Sequence, residues 1–412
     1  MEKRKYFCTV KHRADILKPL LSAIIALTIG CQIQAKAIGD GNRSDSVEVS
    51  LLTCSPHTEV YSLYGHTAIR YRNAATGEDW AFNYGVFNFR KPFFALRFAF
   101  GLTDYELGVI PYKYFEEEYR KTGRQVTEQV LNMTSDEKRR LYDALRINYL
   151  PENRVYRYNY FYDNCTTRAR DMIEQSISGT VEYLYNKDDA MPTYREMIHA
   201  KTKNHHWAAF GNDLCLGVKA DMNTDYRQQQ FLPGNLMRAF EKAVIADGNG
   251  TRPLVKETNV LVKSAPQPVS SSFPLTPTQC ACLLLVASIA IAFIEYRKKK
   301  IIKTWDALLL IVDGLAGIVI LALFFSEHPT TSTNLQILLL NPLPLCFLYS
   351  VLKGKILFWN IFTALIILFF VCGIFQDYAE GMEILALSLL TRCGIHLYFS
   401  HNTKFQITPK NV

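Results

Sequence analysis

Tyr64-Gly65-His66-Thr67-Ala68-Ile69-Arg70-Tyr71-Arg72, then Asn73-Ala74-Ala75-Thr76-Gly77-Glu78, then Asp79-Trp80-Ala81-Phe82-Asn83-Tyr84-Gly85, is a pair of alternating runs around a turn-forming segment. Side chains in a strand point to opposite faces with period two, so this pattern predicts a β-hairpin. Pairing Arg72 with Asp79 places His66, Ala68, Ala81, Asn83 and Gly85 on one face. Asn83 then lies diagonally across from His66, within reach of its side chain. Asn83 is therefore a candidate for the group that orients the imidazole.

A second stretch supplies a possible partner. The aromatic run Tyr156-Arg157-Tyr158-Asn159-Tyr160-Phe161-Tyr162 reads as a strand and ends in Asp163-Asn164-Cys165-Thr166-Thr167. Beyond it Ala169, Met172, Ile173 and Ile177 fall on one helical face, and Cys165 belongs to the same stripe. Asp163 or Asn164 is the expected N-cap. A cysteine in the first turn of a helix has its thiolate stabilised by unpaired amides and the helix dipole. A nucleophile also needs a base, and His66 could supply it. By themselves these positions are weak signals. A cysteine on an apolar helical face is commonly buried and inert, and the chain has nine histidines. The third catalytic group stays open among Asn83, Asp79 and Asp163.

Outward from this pair the chain divides by composition. Residues 40–250 are polar and aromatic-rich. A Pro- and Ser-rich stretch within 251–278 reads as an extended linker. Five apolar segments follow over 279–400, roughly Gln279–Tyr296, Trp305–Phe325, Leu335–Leu352, Ile356–Phe375 and Met382–Tyr398. Each is near the roughly 20 residues that a spanning helix needs. The third holds Pro342 and Pro344 and is the least regular. Arg297-Lys298-Lys299-Lys300 and Lys353-Gly354-Lys355 alternate with loops carrying Glu327, Asp377 and Glu380 and no Lys or Arg. Positive charge stays inside, so the 40–250 domain and the second and fourth loops face outward. Residues 401–412 form a cytoplasmic tail. Of the charges within the apolar segments, Asp306 and His396 are expected to snorkel at the inner interface, and Asp313 stands deeper as a candidate functional group.

The N-terminus fits a secretory signal over residues 1–37: a basic start, the apolar run Leu20–Gly30, and Ala35-Lys36-Ala37 at the cleavage position. A lipidation site at Cys31 is the rival reading. Mean hydropathy of -0.00 averages two unlike halves. The net charge of +8 is spread over termini and loops, which does not point to nucleic acid. Of ten cysteines, only Cys54, Cys165 and Cys215 fall in the exported domain. That odd count leaves a free thiol, and a Cys54–Cys215 disulfide is one way to leave Cys165 as that thiol. No spacing suggests zinc or another metal, and no cofactor motif is present. The run Phe93–Phe100 reads as a core helix in preference to a lipid-dipping segment or the wall of an acyl groove.

Taken together, several motifs carry a resemblance. They are Leu52-Thr53-Cys54, Tyr64-Gly65-His66-Thr67-Ala68-Ile69-Arg70, Asn83-Tyr84-Gly85-Val86-Phe87, Phe100-Gly101-Leu102-Thr103-Asp104-Tyr105, Asp163-Asn164-Cys165-Thr166-Thr167-Arg168, and Asp213-Leu214-Cys215-Leu216-Gly217 with Phe231-Leu232-Pro233. A His-bearing strand followed by a Cys at a helix start after Asn resembles the circularly permuted papain-like fold of lecithin:retinol acyltransferase. More closely, residues 45–245 resemble the periplasmic domain of Lnb-type bacterial lipoprotein N-acyltransferases, and the C-terminal half looks like that family's membrane domain. The resemblance implies an α+β permuted papain-like domain on an all-α bundle of about five transmembrane helices, in the bacterial inner membrane with the catalytic domain in the periplasm. It implies transfer of a fatty acyl chain from a phospholipid, through a Cys165 thioester, to the α-amino group of a lipoprotein's diacylglyceryl-cysteine. Catalytic roles fall to Cys165, His66 and Asn83. The alternatives are a papain-like envelope peptidase or amidase, and a non-enzymatic membrane-anchored scaffold.

Overall fold

The computed structural model describes residues 46–87, 90, 92–186, 189, 191–248, 250–266 and 273–406, with side chains to residue 402. The signal segment 1–37 and the end of the 401–412 tail lie outside the described residues. Along the first domain come β1 (Val47–Cys54), β2 (His66–Asn73), β3 (Glu78–Val86), α1 (Phe94–Ala99), β4 (Asp104–Pro111), α2 (Tyr112–Lys121), β5 (Val126–Leu131), α3 (Ser135–Tyr149), β6 (Val155–Arg157) and α4 (Cys165–Ser176). After them come β7 (Thr180–Glu182), α5 (Tyr194–Thr202), α6 (His206–Cys215), α7 (Tyr226–Gln229), α8 (Pro233–Lys242), β8 (Val244–Asp247), β9 (Gly250–Pro253) and β10 (Val255–Val262).

The fold is α+β. An antiparallel seven-stranded sheet runs β10-β5-β1-β2-β3-β4-β6, and β7-β8-β9 form a smaller sheet. Alternation explains why both faces of the large sheet are covered. Leu51, Ile69, Phe82 and Tyr84 point one way, under α3, α4 and α8. Leu52, Cys54, Ala68 and Ala81 point the other way, against Tyr112, Phe115 and Tyr119 of α2. In the central hairpin Arg72 pairs with Asp79, the register expected from the sequence.

Two expectations are corrected here. Val255–Val262 is not spacer but the edge strand β10, paired with β5. Most of its side chains are exposed, so it lacks the apolar alternation that marks a strand. Its backbone nevertheless covers an edge that would otherwise present unpaired amides. The aromatic run stays extended only to Arg157, and residues 158–164 then fold back through a bridge between Asn159 and Asp163.

The membrane half consists of α9 (Pro277–Lys298), α10 (Lys303–Leu323), α11 (Leu343–Leu352), α12 (Leu357–Cys372) and α13 (Met382–Gln406). Four segments are long and apolar enough to cross a membrane, and α12, at 16 residues, is shorter. The third segment is broken, with a 3-10 turn at Leu335–Leu338 before α11 begins behind Pro342. Gly317 of α10 lies against this break, where a Cβ would come within 2.2 Å of the Asn341 backbone. Asp306 and His396 do not snorkel. Asp306 is 1% exposed and receives Arg392 Nε at 2.8 Å and His396 Nε2 at 2.8 Å. Arg392 also grips Glu295 with both terminal nitrogens, at 2.6 and 2.9 Å. In hydrocarbon such charges are tolerable because each has a partner. Asp313 is buried, and neither of its carboxylate oxygens has a hydrogen-bond partner among the described residues.

Loops 326–334 and 376–381 pack on the first domain, as their shared outward placement requires. Glu327 N donates to Phe100 O at 3.0 Å, Asn334 Nδ2 to Leu214 O at 2.8 Å, and Gln376 Nε2 to Leu216 O at 3.0 Å. Gly101 and Gly217 make this approach possible. A Cβ would meet Glu327 at 2.9 Å from Gly101 and the Ser332 carbonyl at 2.4 Å from Gly217.

Candidate active site

Cys165 opens α4, and the sequence around it builds the helix start. Asn164 is the N-cap; its Oδ1 accepts from Thr166 N at 2.8 Å and Thr167 N at 3.0 Å, and Thr167 Oγ1 accepts from Asn164 N at 2.9 Å. Asn164 Nδ2 donates to the carbonyls of Tyr160 and Phe231, tying the cap to two loops. The apolar stripe Ala169, Ile173 and Ile177 holds α4 on the sheet. A hydroxyl bond of 3.1 Å between Thr67 and Thr166 fixes the helix start beside the start of β2, where His66 sits.

His66 and Cys165 line the same cleft, and the charge of each acts on the other. Its Nε2 lies 2.7 Å from Asn83 Oδ1, the diagonal contact expected from the hairpin register. The same Oδ1 accepts from Gly85 N at 2.7 Å. A backbone amide can only donate, so the shared atom is the carbonyl oxygen of Asn83 and His66 Nε2 must carry the proton. Nδ1 is thereby left unprotonated in the neutral ring. One asparagine thus sets the tautomer in which the imidazole can take the thiol proton.

Electrostatics favour the separated charges. Burial raises the Cys165 pKa, but the His66 charge, the hydrogen bond to it, the Thr67 amide and the Thr166 hydroxyl outweigh that and hold it below the ordinary thiol value. Burial likewise opposes charge on His66, and the Cys165 thiolate outweighs it, so the imidazole pKa is raised. Both shifts favour movement of the thiol proton to the imidazole.

The other candidates fall away from the pair. Asp79 is held by Arg70 at 2.6 and 2.8 Å, and Asp163 by Arg168 at 2.6 and 2.8 Å. Cys54 and Cys215 are free thiols and do not form a disulfide. Cys54 is buried against α2, while Cys215 packs toward the membrane bundle. Among the described residues no cluster of His, Cys, Asp or Glu could hold a metal ion.

Sequence reasoning missed two residues here. Gly85 is the first: a Cβ there would lie 2.6 Å from His66 Cε1. Its place on the His66 face of the hairpin was the available signal. Arg124 is the second. It lines the cleft of about 310 Å³ that holds Cys165 and His66, with Nε donating to Ser55 O at 3.0 Å and the guanidinium over the Tyr119 ring at 4.5 Å. Nothing local in Thr122-Gly123-Arg124 announces that position.

Residues 34–200 match the family model of the Lnb N-terminal periplasmic domain, and residues 268–404 match that of the Lnb transmembrane domain. The chain belongs to the Lnb family. It is a membrane protein with a periplasmic domain, and membership suggests lipoprotein biosynthesis and an acyltransferase. No curated protein and no solved structure matches it. In this Lnb-type chain two of the motifs that carry the resemblance serve a contact outside the Cys-His pair. Phe100-Gly101 and Leu214-Cys215-Leu216-Gly217 are the places where the periplasmic domain docks on the membrane loops.

Proposed function

We propose that the protein is a lipoprotein N-acyltransferase, with Cys165 as nucleophile, His66 as general base and acid, and Asn83 as the residue that positions His66. The observation that carries this reading is the Cys165–His66 pair with its tautomer set by Asn83, at the head of a cleft that leads toward the membrane bundle. Two hydrophobic substrates in the outer leaflet of the inner membrane would reach such a site directly. Arg124 on the cleft wall offers a guanidinium to a phosphodiester.

In the first half-reaction the Cys165 thiolate attacks a phospholipid ester carbonyl. The C–S bond forms, the ester C–O bond breaks, and His66 gives its proton to the departing lysophospholipid oxygen. In the second half-reaction the α-amino group of a diacylglyceryl-cysteine attacks the thioester, and the C–N bond forms as the C–S bond breaks. His66 takes the amine proton and the thiolate returns. The amides of Thr166 and Thr167 are already engaged by Asn164. The developing oxyanion is therefore assigned to the amide of Cys165 itself, which points from the positive end of α4.

The test is mass spectrometry of lipoprotein N-termini from cells lacking the protein, complemented with wild type or Cys165→Ser. Amide-linked acyl chains should disappear in the deletion and return only with wild type. Unchanged N-acylation in the deletion would refute the substrate assignment and bring a thiol hydrolase forward. Full rescue by Cys165→Ser would remove the enzyme reading.

A further inference from the structure

The run Phe93–Phe100, expected to be a core helix, is not core: α1 has no fully buried residue. Phe94, Ala95, Phe98 and Ala99 instead line an apolar cavity of about 410 Å³, within the range of small-molecule sites. Tyr61, Tyr64, Tyr105, Tyr158 and Tyr160 line both this cavity and the Cys165 cleft, so the two adjoin along these side chains. The far wall comes from the membrane half, through His328, Thr330 and Thr331.

Several polar groups lining the cavity are already engaged, while His328 Nδ1 and the Tyr160 hydroxyl have no hydrogen-bond partner among the described residues. His328 Nε2 donates to Phe98 O at 2.9 Å, Thr331 Oγ1 to Leu323 O at 3.1 Å, and Asn212 Nδ2 to the Tyr64 hydroxyl at 2.7 Å. Burial lowers the His328 pKa, so the wall carries no imidazolium at neutral pH. A ligand here is recognised by apolar burial, with its polar end at Cys165.

We infer that this chamber holds the donor's fatty acyl chain during thioester formation, and that the 326–334 loop of the membrane bundle is one wall of the substrate site. The inference rests on the acyl-transfer reading. It also gives the bundle a task beyond anchoring: without that loop the chamber has no floor. The carbonyl to be attacked sits at the cleft end, and the methylenes run between α1 and the loop.

The test uses the full-length protein in detergent and measures acylation of Cys165 by dipalmitoyl and dioctanoyl phosphatidyl donors, in wild type, Ala99→Phe and Ala95→Phe. Thioester formation involves the donor alone, so the acceptor's chains do not enter. A ring placed in the chamber displaces the end of the long chain and leaves the short one. Each displaced methylene costs about fourfold, so the ratio of long-chain to short-chain acylation should fall roughly tenfold or more. A ratio is insensitive to partial loss of folded protein, and Ala95, more exposed than Ala99, gives a second variant. If wild type is acylated by both donors and neither variant changes the ratio, the chamber assignment is wrong and the acyl-transfer reading stands. If neither donor acylates wild-type Cys165, both fall.

Discussion

Gly85→Ala should inactivate the protein without unfolding it. The added Cβ would lie 2.6 Å from His66 Cε1, 3.0 Å from Asn83 Oδ1 and 3.2 Å from His66 Nδ1. Carbon atoms rest about 3.5–4.0 Å apart, so the imidazole or the strand must retreat by roughly 1 Å. A misplacement of that size at a reacting group costs about 10²-fold in rate. Backbone strain is not the cause, because Gly85 is not among the positive-φ glycines. The assay is the rate of Cys165 acylation by a chromogenic ester in full-length protein, with the thermal unfolding midpoint measured alongside. The expected result is a loss of about two orders of magnitude with the midpoint retained. An unchanged acylation rate would refute the claim that His66, as placed against Gly85 and Asn83, activates the thiol. Loss of both rate and midpoint would show that Gly85 is needed for folding instead.

Asn83→Leu removes the acceptor that fixes the His66 tautomer, and a buried hydrogen bond of this kind is worth about 0.5–1.5 kcal/mol; acylation should fall by up to about tenfold. Asn83→Asp keeps an acceptor and adds charge, so it should recover activity and move the alkaline limb of the pH–rate profile upward, which a purely structural role would not do. Iodoacetamide alkylation of Cys165 should titrate below the ordinary thiol value of about 8.5. The sign follows from the causes: in His66→Ala burial remains while the lowering partner is gone, so the midpoint should move above that value. Wild-type turnover should then fall on the acid side as Cys165 is protonated and on the alkaline side as His66 loses its proton.

The hairpin and its register were readable locally, because period-two alternation and a turn between Arg72 and Asp79 leave few ways to pair. The same holds for α4, whose N-cap and apolar stripe lie within a few residues of Cys165. The membrane segments and their orientation were set by run length and loop charge, both properties of the bilayer as a solvent. Sequence also brought His66 and Asn83 to one face, since that is a matter of counting. It could not bring Cys165 to them, because Cys165 lies 99 positions after His66 and only the packing of α4 on β2, through Thr67 and Thr166, closes that distance. Asp79 and Asp163 were excluded as partners by the arginines that hold them, one from a neighbouring strand position and one from the next turn of α4. The edge strand β10 was invisible because its side chains are exposed and its stabilisation is backbone pairing to β5. Glu295, Asp306, Arg392 and His396 became a network only when three helices met. The chamber beside α1 is the clearest case: Phe94 and Phe98 are apolar residues at helical spacing, which fits a core as well as a cavity wall. Which of the two they form depends on how closely loop 326–334 approaches, and that is a property of tertiary packing alone.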